Sequence, residues 1–277
     1  MAIIPLVAFE DKLFIVGHKS VWSAADGINW TAQPKTDWGE RYGMAYVFFD
    51  NRIWMLGGMR SWAEFRNDVW YSSDGNNWKI ATANAAWTPR RDHSVLVFDN
   101  KMWLVGGVES SGRADQLPTH LLNDVWSSED GMNWTKVAAN APWAPRGGHV
   151  ALVFDNKLWV IGGAGLRDVW FSSNGRDWTQ ATDAAEWSER LSNGGLVFDG
   201  KIWIFGGRGL NDVWYSSDGK HWQLGFANAP WSTRTAFHSV VFDNNLWIYG
   251  GKTGRDDSWA GDVWTMATKQ LCPVGNW

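Results

Sequence analysis

One cysteine, Cys272, is the only thiol in this chain of 277 residues. It cannot form an intrachain disulfide, so burial and backbone pairing must hold the fold, and a reducing, cytoplasmic compartment is the favoured expectation. Long apolar runs are missing too. No stretch approaches the roughly 18 to 20 residues that a helix needs to cross a bilayer, so no membrane insertion of that kind is expected. Lysine and arginine are scattered instead of clustered, in a chain of formal net charge -4, so the electrostatic footprint of a nucleic-acid binder is absent and no such partner is expected. The opening from Met1 to Asp11 lacks a basic leader and aligns with the first strand of later repeats, which argues against a signal peptide.

Glycine and tryptophan are abundant, and they recur in order. Gly57-Gly58, Gly106-Gly107, Gly162-Gly163, Gly206-Gly207 and Gly250-Gly251 each close an apolar run, with a degenerate Gly17-His18 near the start. Successive first glycines are 40, 49, 56, 44 and 44 residues apart; a period of roughly 40 to 50 residues is the range of propeller blades, and self-similarity outranks any single local signal. Within one copy, Arg146 to Phe154, Lys157 to Gly163, Asp168 to Ser172 and Trp178 to Ala181 are short runs rich in β-branched and aromatic residues. Asp155-Asn156 and Asn174-Gly175 bound them, so each copy reads as four antiparallel strands joined by hairpins. The expected fold is all-β: a six-bladed propeller filling residues 1–277 as one domain, with blades at about 1–40, 41–89, 90–145, 146–189, 190–233 and 234–277. The last copy lacks a normal fourth strand. Either its blade is short, or the N-terminal residues complete it.

The residues resemble the kelch family. A first strand after Pro-Arg (Pro89-Arg90, Pro145-Arg146), a second ending in Gly-Gly, an aromatic in the third (Trp70, Trp126, Trp170, Trp214, Trp264) and a tryptophan in the fourth (Trp78, Trp134, Trp178, Trp222) are that family's pattern, and it covers essentially the whole chain. The Ser-Ser-Asp-Gly-Asn-Asn-Trp type segments look a little like the Asp-box of sialidase-like propellers but lack one residue of its spacing.

Twenty-one of the 24 tryptophans fall into four repeated sets, on the second, third and fourth strands and in the interblade connection (Trp38, Trp87, Trp143, Trp187, Trp231). Packing between blades is the expected role. Trp62, Trp259 and Trp277 lie outside the frame. The connections between second and third strands are enlarged at 59–67, 108–122 and 252–261, all on the face that also carries the interblade connections. That face is the expected binding surface, with Trp62, Arg66, Arg113, His120, Arg255 and Trp259 as its candidate ligand-binding residues.

Five arginines, Arg41, Arg90, Arg146, Arg190 and Arg234, stand at the base of first strands on the same face. A ring of them could grip carboxylates. Five aspartates, Asp68, Asp124, Asp168, Asp212 and Asp262, open the third strands nearby, and an internal Arg–Asp pair in each blade is the favoured reading. His93 and His149 occupy equivalent positions, while His238 is displaced by one residue and should face the other side of its strand. No metal site or cofactor is expected. The Glu-x-x-x-Asp-x-x-x-His iron motif of the kelch-like nitrile-specifier proteins is absent, since Ser72 stands where histidine would follow Glu64 and Asp68. Galactose-oxidase chemistry is disfavoured by the place of Cys272 in the irregular tail.

The resulting expectation is a monomeric, non-catalytic recognition scaffold for a peptide, protein or glycan. The alternative is catalysis in the central opening: bacterial sialic-acid mutarotases look like six-bladed kelch propellers, and Glu189 with Arg41, Arg90, Arg146, Arg190 and Arg234 could supply similar acid-base and carboxylate-binding groups.

Overall fold

The computed structural model describes residues 6–9, 11–16, 21–33, 38–61, 64–110, 120–253 and 258–267, and every regular element among them is a β-strand. Five four-stranded antiparallel blades follow the repeat. They are Leu6–Phe9 to Thr31–Ala32, Ala45–Phe49 to Trp78–Thr82, Ser94–Phe98 to Thr135–Ala138, Val150–Phe154 to Thr179–Thr182 and Gly194–Phe198 to Gln223–Phe226. The sixth is described by three strands, His238–Phe242, Asn245–Tyr249 and Val263–Ala267. The first strands neighbour one another all the way round, from Leu6–Phe9 through each blade to His238–Phe242 and back. This makes a closed six-bladed propeller with its first strands around the axis.

Turn chemistry sets the register. The dipeptides Asp50-Asn51, Asp99-Asn100, Asp155-Asn156 and Asp243-Asn244 all take positive φ at both residues, as the tightest hairpin turns require, and Asp and Asn tolerate it best. Leu6–Phe9 pairs with Lys12–Val16 as the innermost strand of blade one. The tail through Cys272 to Trp277 lies outside the described residues.

The core is divided among the blade interfaces. Six clusters of buried residues each join two neighbouring blades; one combines Trp54 and Leu56 of blade two with Leu104 and Trp134 of blade three, and another Leu13 and Ile15 of blade one with Trp247 of blade six. The interblade tryptophans meet fourth-strand tryptophans edge-on, as in Trp38 with Trp78 at 4.6 Å and Trp187 with Trp222 at 4.2 Å between ring centroids. Such edge-to-face contacts suit the ring quadrupoles, and large rings fill the wedges that open between radial sheets.

Candidate functional site

Each Asp-Val-Trp third strand is a bracket for the upper face, where the interblade connections run. Arg146 donates to both carboxylate oxygens of Asp168 at 2.8 Å and to the Gly162 carbonyl, and the Trp170 indole donates to the same aspartate. The pattern repeats with Arg41 and Asp68, Arg90 and Asp124, Arg190 and Asp212, and Arg234 and Asp262. All five arginines are 0–1% exposed. Two-pronged pairs of this kind saturate the guanidinium fork, so these cations are structural brackets and not an open carboxylate-binding ring. Glu189 stands apart, two-thirds exposed and 3.3 Å from Arg208. Arg41, Arg90, Arg146, Glu189, Arg190 and Arg234 therefore do not converge on one open rim. The expectation of paired arginines is met in all five blades that carry them.

A second bracket escaped the sequence reading. In blades two to five the residue before the aspartate ties down the following interblade connection: Asn67 donates to the Ala85 and Trp87 carbonyls, and Asn123 and Asn211 repeat this with Ala141 and Trp143 and with Ala229 and Trp231. Arg167 does the same in blade four. Its signal is the recurring Asn-Asp-Val-Trp string, in which the aspartate and the tryptophan carry expected roles and the asparagine none.

Ribbons rise above these brackets where the connections were enlarged. In blade two, Met59–Ser61 pairs with Glu64–Phe65. In blade three the second and third strands continue upward until Glu109 faces His120, and Arg90–Arg91 adds alongside. In blade six, Lys252–Thr253 pairs with Ser258–Trp259 and, on its other side, with Arg234–Thr235. Blade four instead turns through Ala164-Gly165 at once. His120 and Leu121 are exposed on the blade-three ribbon; Arg66 is half-buried and paired with Glu64. Trp259 lies in a ribbon strand, and Trp62, Arg113 and Arg255 fall outside the described residues.

At the axis the interblade segments build a collar. Asp92 N donates to the Gly43 carbonyl, Gly148 N to Asp92, Ser192 N to Gly148 and Ala236 N to Ser192, at 2.8 to 3.0 Å. All five residues have positive φ. Below it lies a cavity of about 310 Å³, walled by the beginnings of the first strands of blades two to six. Its wall includes Tyr46, Asp92, His93, His149, Asn193 and His238. Burial, helped by Arg146, holds His149 down at about 3, and burial alone does the same for His238; His93 is also far below the usual imidazole value, through burial and then Arg90 and His149. These rings are neutral at physiological pH. Burial pushes the Asp92 carboxyl up, against the pull of Arg91, to which it is paired. In strand register His238 matches Ser94 and Val150 instead of His93 and His149, as its displacement by one residue requires.

The description "KLHDC2/KLHL20/DRC7 Kelch-repeats domain" matches residues 19–207. The chain belongs to the kelch-repeat family. Among solved kelch-like neighbours, the structure of YjhT superposes with a TM-score of 0.79 over 97% of this chain and 95% of that one, at 17% identity, a likeness of fold alone. No curated protein matches the kelch chain described here. Solved chains that match it number 557, and an architecture used so widely does not choose among functions. A kelch propeller is consistent with a protein-binding scaffold. Among the described residues no helix is long and apolar enough to cross a membrane.

Proposed function

We propose that this kelch propeller is a recognition scaffold that engages a polypeptide partner through its ribbon-bearing face. The observation that carries the reading is the asymmetry between the faces. One is made of near-identical hairpin turns, while the other carries three unequal ribbons and exposes Leu121, Leu191, His120 and Arg60. Irregular loops on a rigid repeat are where binding groups can vary without disturbing the fold. The buried Arg–Asp brackets keep the ribbons' bases fixed, which lowers the ordering cost of binding. Peptides selected from a displayed library, with a glycan array run in parallel, supply the probe. The affinity of the selected peptide should fall at least about tenfold in the pair His120→Ala with Leu121→Ala, with an unchanged melting temperature. An undiminished affinity in that pair, or binders found only on the glycan array, would overturn the reading.

A further inference from the structure

We propose that blade three carries a binding site for a small phenol, in the place where three sister blades hold an aromatic side chain of their own. The site needs no ribbon residue, so it stands apart from the polypeptide-binding reading.

Blades two, four and five each layer three side chains across their second and third strands. A second-strand tryptophan (Trp54, Trp159, Trp203) faces a third-strand aromatic (Tyr71, Phe171, Tyr215) in register, with ring centroids 5.2, 5.0 and 4.9 Å apart. The residue that opens the second strand lays its cation over that aromatic: Arg52 over Tyr71 at 5.0 Å, Lys157 over Phe171 at 5.6 Å and Lys201 over Tyr215 at 5.2 Å. Blade three keeps Lys101 and Trp103 at the equivalent positions, but Ser127 stands where the middle ring would be.

A surface pocket of about 380 Å³ opens at that serine, within the range that takes small molecules, and Lys101, Ser127, Glu129 and Thr135 are among the residues that wall it. Glu129 replaces the serines Ser73, Ser173 and Ser217 of blades two, four and five, and its carboxylate keeps the Lys101 ammonium at the wall, 3.0 Å away. Trp103 itself stays covered, so a guest meets Lys101, Ser127 and Thr135, each of which is partly or fully open to solvent.

Two features select the class. A ring in this place offers its π face to the Lys101 cation, as the three sister rings do to theirs. Beyond the ring stands a hydrogen-bonding group: the Tyr215 hydroxyl donates to Gln223 Oε1 at 2.7 Å, and Thr135 holds against Ser127 the register place that Gln223 holds against Tyr215. A neutral ring with one hydroxyl suits both. The two other blades without a third-strand aromatic are built differently. In blade one Gln33 donates to Ser23 Oγ at 2.8 Å, and in blade six Asn245 replaces the cation opposite Thr265.

The test is a titration of the intact, isotope-labelled chain with p-cresol, the tyrosine side chain freed of its backbone, read by proton–nitrogen correlation spectra beside its saturated analogue, methylcyclohexanol. p-Cresol should shift the amides of Lys101, Ser127, Glu129 and Thr135 saturably, and methylcyclohexanol should bind at least about threefold more weakly. Lys101→Ala should weaken p-cresol by about three- to fivefold. Ser127→Tyr supplies the ring covalently, as blades two and five do, and should abolish the p-cresol shifts with a melting temperature no lower than the parent's. Absence of saturable shifts at these amides, equal binding of methylcyclohexanol, undiminished binding in Lys101→Ala, or shifts that persist in folded Ser127→Tyr would overturn the proposal. Should Ser127→Tyr fail to fold, the Lys101→Ala and methylcyclohexanol arms still decide.

Discussion

Trp247 of blade six lies directly over Gly27 of blade one: a Cβ built on that glycine would fall 2.4 Å from the indole Cζ3. The same relation joins Phe14 to Gly75, Trp54 to Gly131, Trp103 to Gly175 and Trp159 to Gly219, each a second-strand aromatic under the next blade's turn glycine. The Trp247–Gly27 contact is the one that closes the ring. Gly27→Ala should therefore cost about 2 to 4 kcal/mol, from overpacking added to the strain of positive φ. Gly209→Ala, also at positive φ but with nothing within 4 Å, should cost only about 1 kcal/mol. Urea denaturation of the two variants separates the contact from the backbone strain.

The collar contains an alanine in a conformation that suits glycine. Ala236 has φ 55, and its equivalents in blades two and four are Gly43 and Gly148. Ala236→Gly relieves the Cβ clash of the left-handed region at a smaller entropic cost in the unfolded chain. The variant should gain about 0.5 to 1 kcal/mol, read as a higher midpoint in chemical denaturation.

Breaking one bracket should be far worse than removing it. Asp168→Asn leaves Arg146, which is fully buried, without its counter-charge, and should cost about 3 to 5 kcal/mol. Replacing both partners, Arg146→Met with Asp168→Leu, should recover much of that loss. A double-mutant cycle from thermal melts tests the difference.

The buried histidines make stability fall in acid. Each has a folded pKa below its unfolded value near 6.5, about 3 for His149 and His238, so the unfolded chain binds more protons between those limits. Their contribution is complete above about pH 6.5 and is lost as pH falls toward 3. His149→Gln should flatten the slope of unfolding free energy against pH in that window by up to about 1.4 kcal/mol per pH unit. A slope identical to the parent's would show that His149 is already protonated in the fold.

Much of this was legible in the sequence because repetition exposes structural rules. Five coincident Arg and Asp positions announced an internal pair, and the Asp-Asn and Asp-Gly dipeptides announced the hairpins. Trp159, in the second-strand set, is 3% exposed, as its place in the repeat implied. The axial cavity was not legible, for the opposite reason. Its wall carries His93 and His149 at equivalent positions, but Asn193 stands there in blade five and Tyr46, Asp92 and His238 enter from other positions of the repeat, so no single type pattern announces it. His93 and His149 were visible as a pair, but a metal was the only chemistry weighed for them. The collar was hidden likewise, since Ser192 and Ala236 carry no signal for positive φ.

Hydrogen–deuterium exchange of the chain with and without its selected peptide tests most directly which face recognises the partner. Protection is predicted at 59–61, 64–66, 107–109, 120–122, 252–253 and 258–259, on the ribbons, with exchange unchanged in the turns at 74–77, 130–133, 174–177 and 218–221. Protection confined to those turns would contradict the account.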